Sequence, residues 1–173
     1  MTGFDAQAVL RAAELGRRVR DLGGRIATAE SCTGGLLAAA LTETAGSSDW
    51  FDRGFVTYSN EAKVDLVGVR LATLAAHGAV SEAVAAEMAI GALRHSTALL
   101  TMAVTGIAGP GGAVSGKPVG TVCFGWALAS AGRDLEHRLI VETRHLDGDR
   151  ATVRRLTVLH AFAGAMTLLD RFA

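Results

Sequence analysis

Proline, cysteine, tyrosine and excess charge are all scarce in this chain, and each shortage narrows what it can be. Two prolines in 173 residues, with half of the sequence hydrophobic and a fifth charged, exclude a fibrous or disordered polypeptide. Two cysteines, Cys32 and Cys123, are too few and too far apart for a disulfide framework or a zinc knuckle, and they suit a reducing compartment. Lys plus Arg equals Asp plus Glu at 17 each. That balance removes the electrostatic footprint of a nucleic-acid or membrane-surface binder and favours a small molecule as partner. No apolar run reaches the length of a membrane span, and residues 1–10 lack the basic start and apolar stretch of a secretory leader. The expectation is a cytoplasmic protein with no nucleic-acid or membrane partner. Five histidines, His77, His95, His137, His145 and His160, show no metal-ligand spacing, so no metal is expected.

What is present alternates between helical and strand patterns. A chain of this length fits one domain, 1–173, able to bury roughly 70% of its unfolded surface. Asp5 caps a first helix carrying Val9, Leu10, Ala13, Leu15 and Val19, and Gly23 and Gly24 stop it. Arg25–Ala29 reads as a strand followed directly by a helix over Gly34–Leu41; Gly54–Tyr58 as a strand followed by a helix over Asn60–Leu66. Ser81 caps a helix to about Arg94, Ala98–Thr105 is a buried strand, and Gly120–Ala129 and Leu135–Thr143 form an antiparallel hairpin turning around Gly132. A last helix covers Asp149–Leu169. The pattern predicts an α/β fold, a three-layer α/β/α sandwich with a mixed sheet.

Three segments carry polar residues that a purely structural sequence does not need. Thr28-Ala29-Glu30-Ser31-Cys32-Thr33-Gly34-Gly35 puts a hydroxyl at a strand-to-helix junction, where free amides could hold an oxyanion or a phosphate. The plain alternative is that Ser31 or Thr33 only caps the helix. Cys32 competes as nucleophile or is a small buried hydrophobe. In the second segment, Gly54–Lys63, a cap at Ser59 or Asn60 puts Lys63 in the first helical turn, where the helix dipole disfavours an ammonium. Tyr58, the chain's single tyrosine, could orient that lysine or relay a proton. A serine needs a base at neutral pH, and a Ser–Lys pair supplies one without histidine or metal. The third segment, Thr105–Gly112 followed by Lys117-Pro118-Val119-Gly120, is a glycine-rich loop after a buried strand. It matches neither a dinucleotide fingerprint nor a Walker loop, so no nucleotide cofactor is expected.

These strings, TAESCTGG (28–35), GFVTYSNEAK (54–63), HGAVSE (77–82), TGIAGPGG (105–112), KPVGTV (117–122) and GDR (148–150), resemble the C-terminal domain family of the competence-damage-inducible protein CinA across nearly the whole chain. Stand-alone members of that family are nicotinamide-nucleotide amidohydrolases. The resemblance implies a cofactor-free hydrolase that deamidates nicotinamide mononucleotide in pyridine nucleotide salvage, with catalytic roles for Ser31, Lys63 and Tyr58. It also implies substrate contacts from Thr33, Gly34, Gly35, Asn60, Thr105, Gly106, Ala108, Gly109 and Arg150. Longer members carry a further N-terminal domain without counterpart in these residues, so its activity is not expected. A homodimer is expected from the resemblance and from the many apolar helical faces. The other class of function left open is a nucleotide-sensing or partner-binding module without turnover.

Overall fold

The computed structural model describes residues 5–129 and 138–172. Asp5 opens the first helix by accepting a hydrogen bond from the Gln7 N–H at 2.9 Å. In chain order the elements are α1 (Ala6–Asp21), β1 (Ile26–Glu30), α2 (Leu36–Thr42), a 3-10 turn (Ser47–Asp49), β2 (Phe51–Val56), α3 (Asn60–Val67), α4 (Leu71–His77), α5 (Glu82–Arg94), β3 (Leu100–Gly106), β4 (Thr121–Leu128), β5 (Arg138–His145) and α6 (Arg150–Phe172). The strands form one mixed sheet in the order β2-β1-β3-β4-β5. β2, β1 and β3 run parallel, and β4 and β5 complete the sheet antiparallel.

Helices cover both faces, which is why β1 and β4 are buried along their whole length. On one face Leu15 and Val19 of α1, Leu37 and Leu41 of α2, and Phe162 and Leu168 of α6 pack against Ile26, Met102, Phe124 and Trp126. On the other, Val67 of α3 and Val84 and Met88 of α5 pack against Ala29, Ala103 and Ala127. The result is the three-layer α/β/α sandwich with a mixed sheet. α6 reaches the sheet closely because residue 164 has no side chain: a Cβ there would stand 2.1 Å from the Trp126 ring. Most of the apolar helical residues are turned inward, onto the sheet, while Leu10 of α1 and Leu71 of α4 stay exposed.

Several boundaries differ from the sequence reading for local reasons. α2 begins at Leu36, because Gly34 and Gly35 hold positive φ of 60° and 99° and lie in a turn. β2 begins at Phe51 and not at Gly54. The short α4 has no side-chain cap and is held instead from α5, where Glu87 accepts the Arg70 N–H at 2.9 Å and the Thr73 hydroxyl at 2.7 Å. β5 continues to His145; the turn around Gly132, and Leu135, lie outside the described residues. Among the described residues no helix is long and apolar enough to cross a membrane.

Candidate active site

From β1 the chain passes to β2 on one side of the sheet, and β3 lies on the other. The carboxyl end of β1 is thus a topological switch point, the place where an open α/β sheet forms a crevice. Ser31 is the first residue beyond that end. Its N–H donates to the Val104 carbonyl at 3.0 Å, and its own carbonyl accepts the Gly34 N–H at 3.1 Å. The residue is buried at 8% exposure.

The start of α2 differs from the expected anion-binding helix terminus. Glu30, 1% exposed, turns its carboxylate onto that terminus and accepts from the amides of Gly35 (3.0 Å), Leu37 (3.0 Å) and Ala38 (2.9 Å). It also accepts from the hydroxyls of Thr33 (2.7 Å) and Thr28 (3.1 Å). Donors that could have held a ligand's negative charge are therefore committed to an internal one. Neither Ser31 nor Thr33 caps the helix: its N-cap is Gly35, with no side-chain cap bond. Thr33 is fully buried with its hydroxyl on Glu30, so it supports the turn from inside.

Ser59 caps α3 by accepting the Ala62 N–H at 3.0 Å, and Lys63 follows in the first turn. Its side chain bends back into the protein and is 1% exposed. Nζ lies 3.1 Å from Ser31 Oγ, 2.9 Å from the Thr57 carbonyl oxygen, 3.4 Å from that of Tyr58 and 3.5 Å from that of Ser59. All four neighbours are neutral oxygens. Burial is the largest influence on the amine and pulls its pKa below the ordinary 10.5, with Cys32 and Glu61 acting the other way. Cys32, by contrast, points into the apolar layer under α2; burial pushes its thiol up to about 11. A thiol so placed is a poor nucleophile at neutral pH.

The other candidates fall into an outer ring and an inner frame. Tyr58 is 60% exposed; its carbonyl faces Lys63 while its hydroxyl accepts from Arg150 Nη2 at 3.2 Å. Arg150, the first residue of α6, also donates through Nη1 to the Gly109 carbonyl at 2.8 Å. One guanidinium thereby ties the segment after β2 to the loop after β3, across the end of β1. Asn60 is exposed at the start of α3. Gly106 is partly exposed, Ala108 and Gly109 are buried, and Gly109 holds a φ of 83°. Thr105 is buried with its hydroxyl on the Ala79 carbonyl at 2.9 Å, which anchors the loop to the segment before α5. Among the described residues no group of three or more His, Cys, Asp or Glu is placed to hold a metal ion.

Two residues that the sequence reading did not single out frame the serine. Glu30 carried a signal: a carboxylate closing a fully buried strand, IATAE, ahead of a helix without a capping side chain. Arg154 carried none. It lies 121 and 122 residues from its partners, donating from Nε to the Cys32 carbonyl at 3.1 Å and from Nη2 to the Thr33 carbonyl at 2.8 Å.

Comparison with known proteins bears on this arrangement. A family model described as the CinA C-terminal domain matches residues 10–169. The chain is 48% identical over 168 residues to Nicotinamide-nucleotide amidohydrolase PncC of Escherichia coli (strain K12), covering 97% of this chain and 96% of that protein. It is 51% identical over 165 residues to a putative competence-damage inducible protein of Symbiobacterium thermophilum, covering 93% of this chain and 38% of that longer one. The crystal structure of the competence/damage inducible protein CihA from Agrobacterium tumefaciens superposes with a TM-score of 0.87 at 44% identity, covering 97% of this chain and 99% of that one. By sequence and by structure along nearly its whole length, the chain belongs to the CinA C-terminal domain family.

Proposed function

We propose that this protein hydrolyses the carboxamide of nicotinamide mononucleotide to nicotinic acid mononucleotide and ammonia, with Ser31 as nucleophile and Lys63 as its base. The relative named as a nicotinamide-nucleotide amidohydrolase supports the substrate. The observation that carries the chemistry is a buried lysine amine 3.1 Å from a serine hydroxyl, surrounded by neutral oxygens. A neutral amine has two N–H bonds to give. The carbonyls of Thr57, Tyr58 and Ser59 are there to take them, which leaves the nitrogen lone pair for the Ser31 hydroxyl.

Ser31 Oγ attacks the carboxamide carbon as its proton passes to Lys63 Nζ. The tetrahedral adduct collapses, ammonia leaves with the proton held by Lys63, and an ester on Ser31 remains. Water then attacks the ester, gives its proton to Lys63, and Ser31 Oγ departs with that proton as the carboxylic acid is released. Tyr58, Arg150, Asn60 and the loop from Gly106 to Gly109 form the rim that receives the nucleotide, with Arg150 as the cation for its phosphate or carboxamide. A cytoplasmic location and a homodimer belong to the same reading. Ammonia release from nicotinamide mononucleotide by the purified protein, with Ser31→Ala as control, is the test. A folded wild type that binds the nucleotide and releases no ammonia would make the protein a binding module instead.

A further inference from the structure

We propose that Glu30 and Arg154 are positioning residues for Ser31, one holding amides and hydroxyls and the other holding carbonyls of the 31–35 turn, and so setting where the serine hydroxyl stands relative to Lys63. The inference rests on the reading of Ser31 as nucleophile and goes beyond it to what fixes that nucleophile in place. The turn needs a fixture. Gly34 and Gly35 both hold positive φ, and glycines at such angles leave a segment with little stiffness of its own.

The Glu30 carboxylate has about four lone-pair sites, and five donors converge on it. Those donors reach from the strand through the turn to the first residues of α2, so one side chain fixes their mutual geometry. Arg154 holds carbonyls of the same turn. Its fork spans the Cys32 and Thr33 carbonyls, a two-point grip that a single ammonium cannot reproduce. In a trans peptide the carbonyl and the following N–H point opposite ways. Holding the Thr33 carbonyl therefore directs the Gly34 N–H, which donates to the Ser31 carbonyl at 3.1 Å. A continuous chain of bonds thus runs from the guanidinium to the main chain of the nucleophile. The main chain of Glu30 reaches the base as well: its carbonyl accepts the Thr57 N–H at 2.8 Å, and the Thr57 carbonyl accepts from Lys63. Neither the Glu30 carboxylate nor the Arg154 guanidinium bonds to Ser31 Oγ or Lys63 Nζ, so both act through the backbone.

Arg154→Met, Arg154→Lys and Glu30→Gln test the idea, each compared with wild type per folded molecule. The readings are kcat and KM for nicotinamide mononucleotide and the rate at which a fluorophosphonate labels Ser31. A displacement of about 1 Å at a reacting group costs on the order of 10²-fold, so kcat should fall about 10- to 100-fold in Arg154→Met, with KM changed by about twofold or less. Labelling should slow in parallel. Arg154→Lys should recover only part of either rate. A folded Arg154→Met protein with wild-type kcat and labelling would overturn the proposal, because a role confined to stability lowers the unfolding midpoint and leaves the folded rate alone. Should Glu30→Gln fail to fold, the two Arg154 variants decide. Wild type that labels at Ser31 but leaves nicotinamide mononucleotide intact would sink the substrate reading, and the variants' labelling rates would still decide this one. Wild type that does neither would remove the nucleophile and this proposal together.

Discussion

Replacing Lys63 with Met removes the amine while leaving a long unbranched chain in a space that is 1% exposed. Loss of a general base predicts a fall in kcat of roughly 10²- to 10⁴-fold. The effect on stability is less obvious and more diagnostic. Without the amine the buried Thr57 carbonyl loses its 2.9 Å donor, a cost of about 1–3 kcal/mol. Above the ordinary lysine value of 10.5, where the amine is neutral in both folded and unfolded chains, that cost stands alone and the variant is the less stable. Burial holds the folded pKa below 10.5, so as pH falls through the interval between the two values the unfolded chain takes up a proton that the folded one refuses. Wild type therefore loses about 1.4 kcal/mol per pH unit relative to Lys63→Met within that interval, and the difference levels off below the folded pKa. Urea unfolding of both proteins at several pH values between 7 and 10.5 measures this directly, since titrations common to both cancel. Two curves separated by a constant offset over that whole range would refute the depressed pKa and the argument for a neutral base. The same group predicts that kcat/KM rises with pH through the folded pKa of Lys63 and is flat before 10.5.

Further outcomes follow from the same geometry. Lys63→Arg should be as inactive as Lys63→Met, because a guanidinium stays protonated at any workable pH; an active Arg variant would rule out a lysine base. Tyr58→Phe should cost less than either, since the hydroxyl contacts Arg150 and not the amine; steady-state rates on nicotinamide mononucleotide compare them. Cys32→Ala should keep most of the activity, and iodoacetamide should modify Cys32 slowly at neutral pH, given a thiol pKa of about 11. Rapid alkylation that kills activity would point to the wrong nucleophile. Chelators should leave the rate unchanged; loss on chelation with restoration by zinc would contradict the mechanism.

The junction at Ser31 was legible because a strand pattern, a hydroxyl and two glycines fall within ten residues, all of it local information. The same holds for Lys63, since a Ser59 cap and a lysine in the following turn are separated by only a few positions. That the 28–35, 54–63 and 105–112 segments meet is a tertiary fact: the parallel run of β2, β1 and β3 brings these strand ends to one edge of the sheet. What stayed hidden depends on competition for partners. The amides at the start of α2 looked free, but whether they face a ligand or Glu30 is decided by how one side chain folds back, which no spacing reveals. Burial lowers the Lys63 pKa, and burial is a property of the packed layers that no spacing reveals. Arg154 is one arginine among several on α6; only the tertiary fold shows that this one faces the turn after β1. The Tyr58 hydroxyl was expected near the lysine, and it accepts from Arg150 instead, on an exposed side chain two residues past the end of β2.

The central claim is a covalent intermediate on Ser31, and rapid-quench mass spectrometry tests it most directly. Wild type mixed with nicotinamide mononucleotide and quenched in acid within its first turnovers should carry a nicotinoyl-nucleotide ester that fragmentation assigns to Ser31, and Ser31→Ala should carry none and release no ammonia. An adduct on Cys32, or full turnover by a folded Ser31→Ala protein, would contradict the account.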